Sequence, residues 1–174
     1  MRPREIEQEF CLLSESEREV YFSDKDLIEL MQAVFAKGAS LRLKVTGFSM
    51  WPFIKDNDVV TISGLNNFSI DFGRAVAFVH SRANKLVMHR IVGRNNGFYL
   101  LKGDNTFDPD GLVPKENILG CLTKIERNDK SISFGLGRER SIIALFNRVR
   151  LWYFVLRFWR LLSLGSRNSI KPII

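Results

Sequence analysis

Leu41-Arg42-Leu43-Lys44-Val45-Thr46-Gly47-Phe48-Ser49-Met50-Trp51-Pro52 reads as a strand running into a loop. Leu41, Leu43 and Val45 alternate with Arg42, Lys44 and Thr46, a period of two that makes one face apolar and the other polar. Ser49, between Phe48 and Met50 and ahead of Pro52, then sits on a rigid loop that leaves the strand and can expose its hydroxyl. The same strand composition recurs over residues 59–62, 74–79, 85–92, 97–101 and 118–125. Asn95-Asn96-Gly97 makes a hairpin turn between two of these runs, and Asn128-Asp129 starts another before residues 131–134. The predicted body is mainly β: a coiled antiparallel, barrel-like sheet.

A helix precedes it. Ser23-Asp24-Lys25-Asp26 supplies an N-cap at Ser23 or Asp24, Leu27, Leu30, Met31 and Val34 recur at helical spacing, and Gly38 is the natural stop. Packing against the sheet is its expected role, with peptide binding as the other reading. Residues 1–23 read as a charged arm with some extended structure.

The 174 residues suit one domain with appendages. The expected division is an arm and helix over 1–39, a β-rich domain over 40–136, and a basic aromatic tail over 137–174. Cys11 and Cys121 are far apart and lack metal-ligand spacing, so two buried or partly buried thiols are expected, with no metal and no cofactor. Six of the seven net positive charges fall in residues 141–174, which contain no acid. The remainder is nearly neutral, so the basic balance implies no nucleic-acid partner. Arg2, Arg4, Glu5, Glu7 and Glu9 precede only a short apolar patch, so no secretory signal peptide is expected at the start.

The tail differs in kind. Residues 142–164 are rich in Leu, Phe, Trp and Val with four Arg. On a helical projection Arg150, Arg157 and Arg160 share one arc of about 80°, with Arg148 across from them. Arg in the middle of a spanning helix is costly, whereas an interfacial helix sets Arg among headgroups and Trp152 and Trp159 at the acyl boundary. The tail is thus expected to lie on a membrane surface; a helix packed on the β-body or a partner is the other reading.

Downstream of Ser49 come Asp56-Asn57-Asp58-Val59-Val60, Met88-His89-Arg90-Ile91-Val92, Lys102-Gly103-Asp104-Asn105, and then Asp108 and Asp110. They supply a candidate nucleophile, a base and carboxylates to orient it, the components of a serine hydrolase. A serine hydroxyl needs a base to take its proton during attack. His89 shares a strand face with Val87 and Ile91, so it points inward, and imidazole takes a proton at neutral pH without the deep desolvation a lysine needs. His80 ends a strand beside Ser81-Arg82 and is expected at the surface.

This series resembles the serine peptidase superfamily that holds type I signal peptidases and the self-cleaving LexA-like repressors. The likeness covers about residues 41 to 127. His89 stands where most bacterial members carry Lys, as in the endoplasmic-reticulum and archaeal signal peptidases. The resemblance implies Ser49 as nucleophile, with its backbone N–H in the oxyanion hole, and His89 as general base. It implies a supporting loop in which Asp110 orients His89 and Asp104 is structural or auxiliary, with Asp108 the alternative. It also implies an extended peptide or protein substrate beside a sheet edge, with small side chains near the scissile bond. Two positions depart from the pattern: Asn57-Asp58 stands for one Gly-Asp and Gly73-Arg74 for another.

The function expected is a membrane-associated serine endopeptidase that cleaves a leader, signal or membrane-proximal peptide. A LexA-like self-cleaving regulator is the first alternative, although neither Ala-Gly nor Cys-Gly occurs in the chain. A catalytically silent peptide-binding module is the second.

Overall fold

The computed structural model describes residues 10–13, 19–81 and 83–149. In chain order the elements are β1 (Phe10–Leu13), β2 (Glu19–Tyr21), α1 (Asp24–Ala36), β3 (Ser40–Val45), β4 (Val59–Gly64), β5 (Ala75–His80), β6 (Lys85–Asn95), β7 (Phe98–Lys102), β8 (Gly111–Pro114), β9 (Ile118–Arg127), β10 (Lys130–Ile132) and α2 (Arg140–Arg148). The strands form one ten-stranded sheet in the order β2-β1-β3-β4-β9-β5-β6-β7-β8, with β10 paired to β9.

This corrects the expected barrel-like β-body. The fold is mixed α/β, and the sheet is open: its path ends on β2 and β8, which do not pair among the described residues. Alternation along single strands says that a face is buried, not what buries it. Here helices do part of the covering. Leu27, Met31 and Phe35 of α1 enter a core with Leu41, Leu43 and Val45 of β3, Val60 and Ile62 of β4, and Leu86 and Met88 of β6. The opposite face buries Val76, Phe78, Ile91, Tyr99, Leu101, Val113, Ile118 and Cys121. β5 and β6 lie between the two cores, so both of their faces are largely buried. Emptying a site such as Met31, which is fully enclosed, costs about 2–5 kcal/mol.

Local chemistry accounts for the element ends. Ser23 caps α1, its Oγ accepting the Asp26 N–H at 3.2 Å, and Gly38 follows the helix at φ 72°. The β6–β7 hairpin turns on Asn96 and Gly97, both left-handed, and Asn128 and Asp129 do the same between β9 and β10. β6 carries a bulge after Ile91, just beyond His89 and Arg90.

The described part of the tail packs inward. Ile143, Ala144 and Asn147 of α2 are buried; the helix packs on β6, and Asn147 reaches Lys102 at the end of β7. Gly73, at φ 86°, admits the start of α2, since a methyl there would lie 2.7 Å from the Arg140 carbonyl oxygen. The expected continuation of the tail helix to residue 164, with Trp152 and Trp159, lies outside the described residues, as does most of the N-terminal arm.

Candidate active site

Ser49 stands on the loop between β3 and β4, and the ends of those strands tie the loop at its base. Val45 N–H donates to the Asp58 carbonyl at 2.9 Å, Asn57 N–H donates to Val45 at 2.8 Å, and Asp56 accepts the Gly47 N–H at 3.0 Å. Asn57 is left-handed at φ 66°, which Asn tolerates in place of Gly. Asp58 is buried and forms a fork with Arg127, both bonds at 2.7 Å, and also accepts the Lys55 N–H. That carboxylate raises Arg127 above its ordinary pKa through the hydrogen bond it accepts. Met50 and Ile54 anchor the loop in the α1-side core.

His89 enters from the middle of β6, opposite Val76 of β5, with its ring 6.1 Å from the Phe78 ring. Its Nε2 is 3.0 Å from Ser49 Oγ, across forty positions of sequence. Its Nδ1 is 2.7 Å from Asp110 Oδ2. The pattern fits a ring protonated on Nδ1, which donates to Asp110, while Nε2 accepts from the serine hydroxyl. The His89 side chain is 7% exposed and that of Asp110 15%, so their hydrogen bond is largely shielded from water. Ser49 is half-buried, and Phe48 beside it is exposed.

The loop after β7 brings Asp110 into place. Arg90 pairs with Lys102 in the β6–β7 register, which carries Gly103 alongside His89. From there Asn105 clamps the serine loop: its N–H donates to the Ser49 carbonyl at 2.7 Å and its side-chain amide to the Phe48 carbonyl at 3.1 Å. Asp110 N–H donates to the Leu101 carbonyl at 2.9 Å, which fixes the carboxylate's backbone. Thr106 Oγ1 lies 3.1 Å from the Gly103 carbonyl and 3.2 Å from that of Asp108.

Ser49, His89 and Asp110 are thus brought together. Asp108 is exposed and is not the His89 partner. Asp104 does not touch His89 and lies behind it, almost fully buried against Arg90. Arg90 Nε donates to Asp104 Oδ1 and Nη2 to Oδ2, both at 2.8 Å, and Nη1 serves the carbonyls of Gly73 and Gly135. The guanidinium lies 5.5 Å from the Phe53 ring centroid. His80 is half-buried at the end of β5, where its Nδ1 accepts the Ala83 N–H at 3.4 Å.

The sequence alone marks no role for Arg90, Asn105, Gly103 or Asn147. The first three lie within residues 88–92 and 102–105, and the groups they meet come from other elements. Arg74, the base standing in the second Gly-Asp position, makes a long ion pair to Asp71 at 3.7 Å and lies 5.5 Å from the Phe68 ring centroid. Among the described residues no group of three or more His, Cys, Asp and Glu is arranged to hold a metal ion. No helix among them is long and apolar enough to cross a membrane. No protein-family model matches the chain, and no curated protein matches it.

Proposed function

We propose that the protein is a serine endopeptidase of the signal-peptidase-like kind, cleaving a leader, signal or membrane-proximal segment. The single observation that carries this reading is the hydrogen-bonded series Ser49 Oγ–His89 Nε2 and His89 Nδ1–Asp110 Oδ2, at 3.0 and 2.7 Å. These are the contacts that proton transfer requires.

In this reading His89 Nε2 takes the Ser49 proton as Oγ attacks the scissile carbonyl carbon. Asp110 stabilises the resulting imidazolium, and the Ser49 backbone N–H donates to the oxyanion. His89 then hands its proton to the leaving amine as the C–N bond breaks, which leaves an acyl-enzyme. A water, deprotonated by His89, releases the acyl group, and Ser49 regains its proton. The partner is an extended polypeptide, docked beside a sheet edge by main-chain hydrogen bonds.

Membrane association completes the proposal. Ile142, Leu145, Phe146 and Val149 recur on the outer side of α2 and are exposed. The sequence beyond continues with Trp152 and Trp159 and with Arg and Lys but no acid, which suits an anionic lipid surface.

The test compares cells carrying wild type, Ser49→Ala and His89→Ala by N-terminal proteomics. Shared accumulation of a set of uncleaved precursors in both variants is the expected result. Identical N-termini in all three would overturn the reading, and a shortened form of this chain alone would move it to self-cleavage.

A further inference from the structure

We propose that Asn147 of α2 is a positioning residue for the catalytic loop, so that α2 is part of the machinery and not merely an attachment. The inference rests on the peptidase reading for its consequence, though not for its geometry. Asn147 is wholly buried yet polar, and each end of its amide has a partner of matching kind. Nδ2 donates to the Gly103 carbonyl at 3.1 Å and to Asp104 Oδ1 at 3.2 Å. Oδ1 and the backbone carbonyl both accept from Lys102 Nζ, at 2.5 and 3.0 Å. One side chain therefore binds three consecutive residues, Lys102, Gly103 and Asp104, more than forty positions upstream.

Those residues open the loop that holds the centre. Gly103 sits against His89 and the Ser49 carbonyl, and Asn105 grips the serine loop from the next turn. The Lys102 ammonium also meets the C-terminal carbonyl end of α2, where the helix dipole favours a cation. Undocking α2 would take two acceptors from the Lys102 ammonium and one donor each from the Gly103 carbonyl and Asp104 Oδ1, and the loop they open would shift. A displacement of about 1 Å at a reacting group can cost about 10²-fold in rate.

Asn147→Asp tests this with almost no change in volume. It replaces the two donors facing Gly103 and Asp104 with an acceptor, while keeping an acceptor for Lys102. The expected result is a folded protein whose kcat on a precursor defined by the Ser49→Ala comparison falls by about 10²-fold with KM unchanged. The downfield Nδ1–H resonance of His89 should also move, whereas Arg148→Ala, on the exposed side of the same helix, should leave both readouts alone. A folded Asn147→Asp with wild-type kcat and an unmoved His89 resonance would overturn the proposal.

Wild-type hydrogen exchange supplies a second arm that needs neither a variant nor a substrate. The Asn105 N–H, which holds Ser49, and the Ile143 N–H inside α2 should open together, with one protection factor below that of the sheet. Exchange of Ile143 while Asn105 stays protected would show that the loop does not depend on α2. Because this readout involves no cleavage, failure of the peptidase reading leaves it intact, and its own failure leaves that reading intact.

Discussion

Gly103 and Ser49 approach so closely that a methyl group on the glycine would stand 2.7 Å from the serine's carbonyl oxygen. The same methyl would lie 2.7 Å from Thr106 Cγ2 and 2.9 Å from His89 Nε2. The first of these neighbours is backbone and the last is the proposed base, so neither can yield without moving the Ser49–His89 contact. Gly103→Ala is therefore expected to fold with a loss of about 1–3 kcal/mol, typical of overpacking. Precursor cleavage should fall by about 10²-fold or more, because the serine–imidazole contact is displaced. Thermal denaturation together with cleavage by the same variant checks both parts.

Asp110 and Asp108 lie two residues apart and should respond very differently. Asp110→Asn retains the shape but removes the charge that the proposed mechanism uses to stabilise the imidazolium, and it can hold the ring in the wrong tautomer. A fall in kcat of about 10²–10⁴-fold is expected, the range that general-base assistance supplies. Asp108→Asn, at an exposed position, should stay within about twofold of wild type. Equal effects from the two variants would remove Asp110 from its assigned role.

The Arg90–Asp104 pair is about 1% exposed on one side and fully enclosed on the other. Removing one partner strands a buried charge, so Asp104→Ala should cost about 3–5 kcal/mol in urea unfolding. Arg90→Met together with Asp104→Leu should recover much of that loss, because hydrophobic replacement of both ions avoids their desolvation. Asp104 would then be a stability residue whose loss lowers activity through the loop it holds. A double variant no more stable than Asp104→Ala would contradict this.

The local elements were legible because short-range rules decide them. Leu41, Leu43 and Val45 announce β3 by alternation, and all three are buried; Ser23 and Gly38 mark the ends of α1, and Asn96-Gly97 marks a hairpin. Ser49, His89, Asp104 and Asp110 were legible as a series of blocks in order, and three of them meet. Closure of the sheet was not legible. Whether buried faces curl onto one another or lie under helices depends on contacts between elements far apart in sequence, such as those of Met31 and Phe35 with the sheet. Asn147 gave no signal either: in an apolar, basic tail it reads as one polar residue. Its partners Lys102 and Asp104 are identified only when α2 reaches the end of β7.

Cys121 gives the pH test with a defined sign. Its thiol is fully buried beside Val76, and burial pushes its pKa from 9.0 up to about 11, partly offset by the nearby Arg74. The folded protein therefore holds this proton more tightly than the unfolded chain does. Its stabilising contribution is complete below about pH 9, falls as pH rises between 9.0 and about 11, and is lost above that. In a Cys11→Ser background the native protein should resist thiol reagents at neutral pH and react only on unfolding, because the thiolate is both scarce and enclosed. Urea midpoints should decline more steeply between those two pH values for this protein than for its Cys121→Ala derivative, since other alkaline titrations are common to both. Rapid labelling of native Cys121, or identical alkaline slopes with and without it, would show that the thiol is not sealed inside the second core.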